Sequence, residues 1–154
     1  MKKRLAMLVL AGAMVTSSLT GCGLKDSATV ATVAGDEIPA GLANFYARMT
    51  QAQYESMYSS YLGDNMWTTE ASEGKTYEKL VKDEVLKDLE NMYLLEDHMD
   101  DYKISLSDDE KKAIKDAAKE FSKDNDKDDK EKVSGDTEYV ERYLTLATIK
   151  QKMT

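Results

Sequence analysis

One cysteine, one histidine and one proline serve the whole chain, and each scarcity removes a class of chemistry. A lone Cys22 leaves no partner for an internal disulfide. A lone His98 supplies neither an H-E-x-x-H metal site nor a credible Ser–His–Asp set. There is no glycine-rich phosphate loop. Basic residues are also short: 21 Lys and Arg face 29 Asp and Glu, a formal charge of −8. That balance argues against nucleic acid as a partner and against an electrostatic grip on a membrane. The adjacent acids Asp100/Asp101 and Asp108/Asp109 point about 100° apart on a helix, so they do not converge on a substrate. His98 projects toward the polar side of its helix and reads as an exposed helical residue. No catalytic residue, metal ligand or cofactor is expected.

What is present begins with an address. Lys2, Lys3 and Arg4 precede an apolar run from Leu5 to Val15, too short to span a bilayer stably. The run leads to Leu19-Thr20-Gly21-Cys22, which resembles the lipobox of bacterial lipoproteins. The alternative is an ordinary secretory signal with an incidental cysteine. On the lipobox reading, residues 1–21 are a signal peptide and Cys22 carries the lipid. Loss of the three basic residues takes the formal charge to −11. One acyl chain binds a membrane only marginally, so a second is needed for stable anchoring. Residues 22–28 form the lipidated cysteine and a polar tether.

From Thr29 the pattern is mainly helical. Val30 to Val33 alternate, Gly35-Asp36 signals a turn, and Pro39 suits a helix start. A short strand or hairpin should open the fold. A first helix should run from Pro39 to Leu62. Leu42, Tyr46, Met49, Met57 and Tyr61 share one face, with Tyr54 and Tyr58 beside it. Asn44, Arg48, Gln51, Glu55 and Ser59 lie opposite. Tyrosine keeps a polar tip on a large ring, and methionine adapts to irregular partners. This face is therefore either plain core or a groove for varied apolar side chains. Gly63 to Lys75 is a long connection holding Met66 and Trp67, the only tryptophan. Trp67 either caps the core or sits on a binding rim.

The most periodic stretch follows, from Thr76 to Glu110. Tyr77, Val85, Met92, Leu95 and Met99 fall within ~40° of Val81 on a helical wheel, and Leu86, Leu89 and Tyr93 widen the stripe. A stripe that wide implies a central helix with neighbours on several sides. Thr76 is a candidate N-cap. Glu78/Lys82 and Asp83/Lys87 have the favourable acid-then-lysine spacing. Asp88 interrupts the apolar stripe, as either a solvated gap or a polar anchor in a groove. Ser107 to Glu110 is a capping-box sequence opening a third helix, with a narrow stripe of Ile114, Ala117, Ala118 and Phe121. Residues 123–135 contain a highly charged run with no apolar residue from Lys123 to Lys132, read as a disordered solvated loop. It is not a calcium loop, because Asp129 and Gly135 stand where glycine and glutamate are required. A last helix should begin at Asp136 or Thr137, with Tyr139, Val140, Tyr143, Leu146 and Ala147 on one face.

The order VATVAG, long helix, tryptophan-bearing loop, central helix and Ile104-Ser105-Leu106-Ser107-Asp108-Asp109-Glu110 resembles the N-terminal domain of SurA and of PrsA-like lipoprotein foldases. The resemblance covers Val30 to Phe121 well and the last helix loosely. It implies a mainly α, four-helix domain over residues 29–154, with a short N-terminal strand or hairpin. It also implies an extracytoplasmic chaperone without a cofactor, binding unfolded or secreted polypeptides. A parvulin-type isomerase domain with paired histidines accompanies many relatives, and this chain has nothing to supply one. The alternatives are a truncated PrsA-like isomerase missing its catalytic domain, or an interaction lipoprotein with one specific partner. The candidate peptide-binding residues are Tyr46, Met49, Tyr54, Met57, Tyr58, Tyr61, Met66 and Trp67, with Cys22 the lipidation site. The expected location is the outer face of a Gram-positive cell membrane.

Overall fold

The stretch with the widest apolar stripe forms the axis of the molecule. In the computed structural model it is helix α2, Tyr77–Asp97, and it buries Val81, Val85, Leu89, Met92 and Tyr93. The structure describes residues 25–154, except residues 64 and 73 and the side chain at position 59. The signal peptide and Cys22 assigned from sequence lie outside the described residues. Thr76 caps α2 as expected, accepting a hydrogen bond from the Lys79 N–H.

Strands β1, Thr29–Val33, and β2, Asp36–Pro39, pair antiparallel as a hairpin. Ala34 and Gly35 turn it with φ of 53° and 101°, a conformation that glycine adopts without a steric cost. The hairpin feeds directly into α1, Ala40–Leu62. Residues 25–28, assigned from sequence to the polar tether, are hydrogen-bonded to the start of α1. The carbonyls of Asp26 and Ala28 accept from the N–H groups of Gly41 and Ala40, two donors that a helix start leaves without partners. Gly41 is needed there, since a Cβ would lie 2.4 Å from the Tyr139 ring and 2.9 Å from Asp26 Cβ.

The long connection after α1 is ordered locally. Met66–Thr68 form one 3₁₀ turn, and β3, Glu70–Ser72, pairs with β4, Lys75–Thr76. After α2, Ser107 and Glu110 make the full reciprocal capping box that opens α3, Asp108–Asp124. Helix α3 buries Ile114 and Ala118, and Ala117 stays exposed, so it packs on one side only.

The expected disordered loop is corrected. Lys127–Val133 form a short helix, α4. Asp126 caps it by accepting from the Asp129 N–H, and Lys127–Glu131 and Lys132–Asp129 pairs lie along it. The residue that caps its C-terminus, Ser134, is 3% exposed and left-handed, at φ 51°. The Ser134 hydroxyl donates to Asp26 and accepts from Asn44, tying α4 to α1 and to the segment before β1. Capping, local ion pairs and this one docked serine supply what the charged run lacks in apolar surface.

Helix α5, Thr137–Met153, closes the bundle against α1, α2 and α3. The main core joins Ile38, Leu42, Val81, Val85, Leu89, Met92 and Leu146. A second cluster forms around Phe45, which meets Phe121 edge-on at 5.5 Å and packs near Ala118 and Val140. Four long helices thus carry the fold, as expected, with α4 as an added short one. Among the described residues, no helix is long and apolar enough to cross a membrane.

Polar pairs fasten α5 along its length. Arg142 grips Glu96 with two 2.6 Å hydrogen bonds and lies 4.6 Å over the Tyr93 ring. Burial works against its charge, but the hydrogen-bonded Glu96 carboxylate and the neighbouring Tyr93 outweigh that and raise the guanidinium pKa. Lys150 pairs with Asp88 at 2.6 Å, and Lys152 with Glu110 at 2.7 Å. Such partly exposed pairs are screened by solvent and contribute little to stability each. Asp83 pairs with Lys75 and Lys79 in place of the expected Lys87.

Candidate functional site

The eight candidate residues separate into three environments. Met66 is 2% exposed and belongs to the core, which removes it from any binding surface. Tyr46 is half-buried, with its ring against Tyr143 at 4.8 Å and its hydroxyl donating to Asp88 at 2.7 Å. Asp88, the break in the α2 stripe, is thereby neither a solvated gap nor a groove anchor. It accepts from Tyr46 on α1 and from Lys150 on α5, joining three helices through one carboxylate.

Tyr54 and Trp67 form the second environment. Tyr54 packs on the main core and lies 6.3 Å from the Trp67 ring and 5.6 Å from Tyr58. The Trp67 indole N–H donates to Glu55 at 2.8 Å, which orients the ring against the flank of α1. Trp67 thus covers the edge of the core, as the capping reading expects, with part of its ring left exposed.

The third environment is the end of α1. The helix is about 34 Å long at 1.5 Å per residue, and its last two turns outrun the bundle. Every described side chain from Glu55 to Tyr61 is exposed. Met57 is 52% exposed, Tyr58 39% and Tyr61 86%, and Met49 one face-length earlier is 48%. Met57, Tyr58 and Tyr61 are thus large side chains left exposed together at one helix end.

Burial and the Asp88 carboxylate keep the Tyr46 phenol protonated well above its ordinary pKa of 10.0. Tyr54, Tyr139 and Tyr143 shift upward too, chiefly through burial. A raised phenol pKa means the folded state holds a proton that the unfolded chain releases. The stabilisation is therefore complete below about pH 10 and is lost as pH rises further. Tyr46→Phe should cost about 1 kcal/mol at neutral pH through the lost hydrogen bond. It should also flatten the alkaline loss of stability by up to about 1 kcal/mol per pH unit. Urea unfolding at pH 7 and between about pH 9 and 11 measures both, and an unchanged slope would contradict the assignment.

Asn44, Arg48 and Gln51, on the face of α1 opposite its Tyr/Met stripe, line a cleft of about 250 Å³ with Trp67 and the start of α2. Arg48 donates to Gln51 at 2.8 Å, and Gln51 donates to Glu55 at 2.9 Å. The signal for it was the spacing of Asn44, Arg48, Gln51 and Glu55. Its significance depends on Trp67, which sequence alone could not bring alongside. At the other end of the molecule, His98 lies 2.9 Å from Asp101 in an open cleft with Leu94, Leu95 and Tyr102. Among the described residues, no group of three or more His, Cys, Asp or Glu side chains is placed to hold a metal.

Comparison with known families finds a match to the family described as the SurA-like N-terminal domain, over residues 3–134. The chain belongs to the SurA-like N-terminal domain family. No curated protein and no solved structure matches it. The SurA-like segment takes in the hairpin, α1, the Trp67 turn, α2, α3 and α4, and so includes every candidate residue. Helix α5 lies beyond it yet supplies Leu146 and Ile149 to the interior. The matched family is an N-terminal domain, and no parvulin-type domain is matched in this chain.

Proposed function

We propose that this protein is a lipid-anchored, extracytoplasmic chaperone domain that binds unfolded or secreted polypeptides through the end of α1. The observation that carries the reading is the exposure of Met57, Tyr58 and Tyr61 on two helical turns standing clear of the core. A folded domain gains nothing from leaving these side chains in water, whereas an extended client offers varied apolar partners. Methionine and tyrosine suit that task, because one is flexible and the other combines area with a hydroxyl. Membership of a SurA-like family supports the chaperone part of the reading. Titration with a permanently unfolded protein, such as reduced and carboxymethylated α-lactalbumin, tests it by fluorescence anisotropy. Saturable binding is expected, and no binding by a correctly folded domain would overturn the proposal.

The anchor is supported by the sequence around Cys22, with its basic start, apolar run and Leu-Thr-Gly-Cys in order. The domain would then sit on the outer face of a Gram-positive cell membrane, held by lipid. Cys22→Ser should move nearly all of the protein from the membrane fraction to the soluble or secreted fraction. Equal membrane retention of the variant and the parent would refute lipidation at this cysteine.

A further inference from the structure

Arg48 is an exception in an acidic molecule. Arg142, the other arginine among the described residues, is fully engaged with a carboxylate. No carboxylate pairs with Arg48 among the described residues, and its one hydrogen bond goes to the neutral amide oxygen of Gln51. That bond occupies one of its five N–H donors. The side chain is half-buried in the cleft between α1 and α2, beside Ala47, Val81 and the Trp67 ring. Lys82 adds a second cation, balanced by Glu78. Glu55 is not among the residues lining the cleft, and its Oε1 already accepts from both Gln51 and Trp67. The chain Arg48–Gln51–Glu55–Trp67 thus holds the guanidinium and the indole in fixed relation on the wall of a cleft that Asn44, Ala47, Glu78, Val81 and Lys82 also line.

We infer that this cleft binds a carboxylate carried next to an apolar side chain, with Arg48 as the recognition group. Guanidinium matches a carboxylate bidentately, and hydrogen bonds to a charged acceptor are roughly twice as strong as neutral ones. The walls of Ala47, Val81 and Trp67 would take the neighbouring side chain. Either a polypeptide C-terminus or an internal Asp or Glu could present the group. The inference rests on the polypeptide-binding reading only for the source of that carboxylate. It places the contact about two helical turns from the exposed end of α1.

Trp67 is the only tryptophan, so its fluorescence reports this cleft directly. The probe is an N-acetylated Gly-Ser heptapeptide ending in Ala-Leu with a free carboxylate. Its amidated form and an amidated form carrying an internal Glu-Leu are the comparisons. The free acid should give a saturable change in Trp67 emission, with the simple amide about tenfold weaker. Arg48→Met should abolish the difference between acid and amide, and Arg48→Lys should retain part of it. Circular dichroism melting checks that both variants are folded. If the internal Glu-Leu peptide matches the free acid, the carboxylate is read wherever it lies; if not, a chain end is read. Equal responses to acid and simple amide, or an acid response surviving Arg48→Met, would overturn the inference. Carboxylate dependence lost with α-lactalbumin binding intact defeats this inference alone. Carboxylate dependence without α-lactalbumin binding defeats the chaperone reading instead.

Discussion

Leu146→Ala is expected to lower the unfolding free energy by about 3 kcal/mol and the melting temperature by roughly 10 °C. Leu146 is fully buried, in one cluster with Ile38, Leu42, Val85 and Leu89. Removing its isobutyl group loses the transfer energy of the apolar atoms and leaves a cavity that the surrounding residues of α1, α2 and β2 can only partly collapse into. A domain holds only about 5–15 kcal/mol in total, so the loss is a large fraction. The effect also tests whether α5 is integral, since it lies outside the family match yet reaches the interior. Tyr102→Ala is the control, because Tyr102 is 70% exposed and its loss should stay within about 0.5 kcal/mol. Urea and thermal unfolding measure both variants. A Leu146→Ala cost no greater than that of Tyr102→Ala would mean that α5 does not occupy the core.

The combined variant Met57→Ala, Tyr58→Ala, Tyr61→Ala is expected to weaken binding of unfolded α-lactalbumin by about tenfold or more. It should leave the melting temperature almost unchanged. These side chains are exposed, so the fold loses little packing when they are cut back. Alanine is also the strongest helix former, so the variant cannot act by unwinding the end of α1. Binding loss with stability intact therefore isolates a surface effect. Unaltered affinity would separate client binding from this end of α1, leaving the Tyr54–Trp67 edge and the Arg48 cleft as the surfaces to test.

The sequence made the scaffold readable where one local rule acted alone. The stripe of α2, the Thr76 cap, the Ser107–Glu110 box and the turn at Gly35 each depend on residues within a few positions, and the structure has all four. Helix α4 is hidden by its composition: Asp126 and the flanking ion pairs are local signals, but the docking of Ser134 on Asp26 and Asn44 spans the chain. Phe45 was overlooked because its partners, Phe121 and Tyr143, come from α3 and α5. Asp88 looked like a defect for the same reason, since Tyr46 and Lys150 approach it from opposite ends of the sequence. The Tyr/Met face of α1 was visible as a pattern. Its division into buried Leu42, half-buried Tyr46 and exposed Met57 and Tyr61 was not, because periodicity does not reveal where a helix outruns its neighbours.

Site-specific photocrosslinking tests the central claim most directly. A benzophenone side chain replaces Tyr58 in one variant and Glu120, exposed on α3, in another. Each is irradiated with unfolded α-lactalbumin. The account predicts covalent adducts from position 58, reduced by excess unlabelled client, and few or none from position 120. Adducts equally abundant from both positions, or confined to position 120, would contradict it.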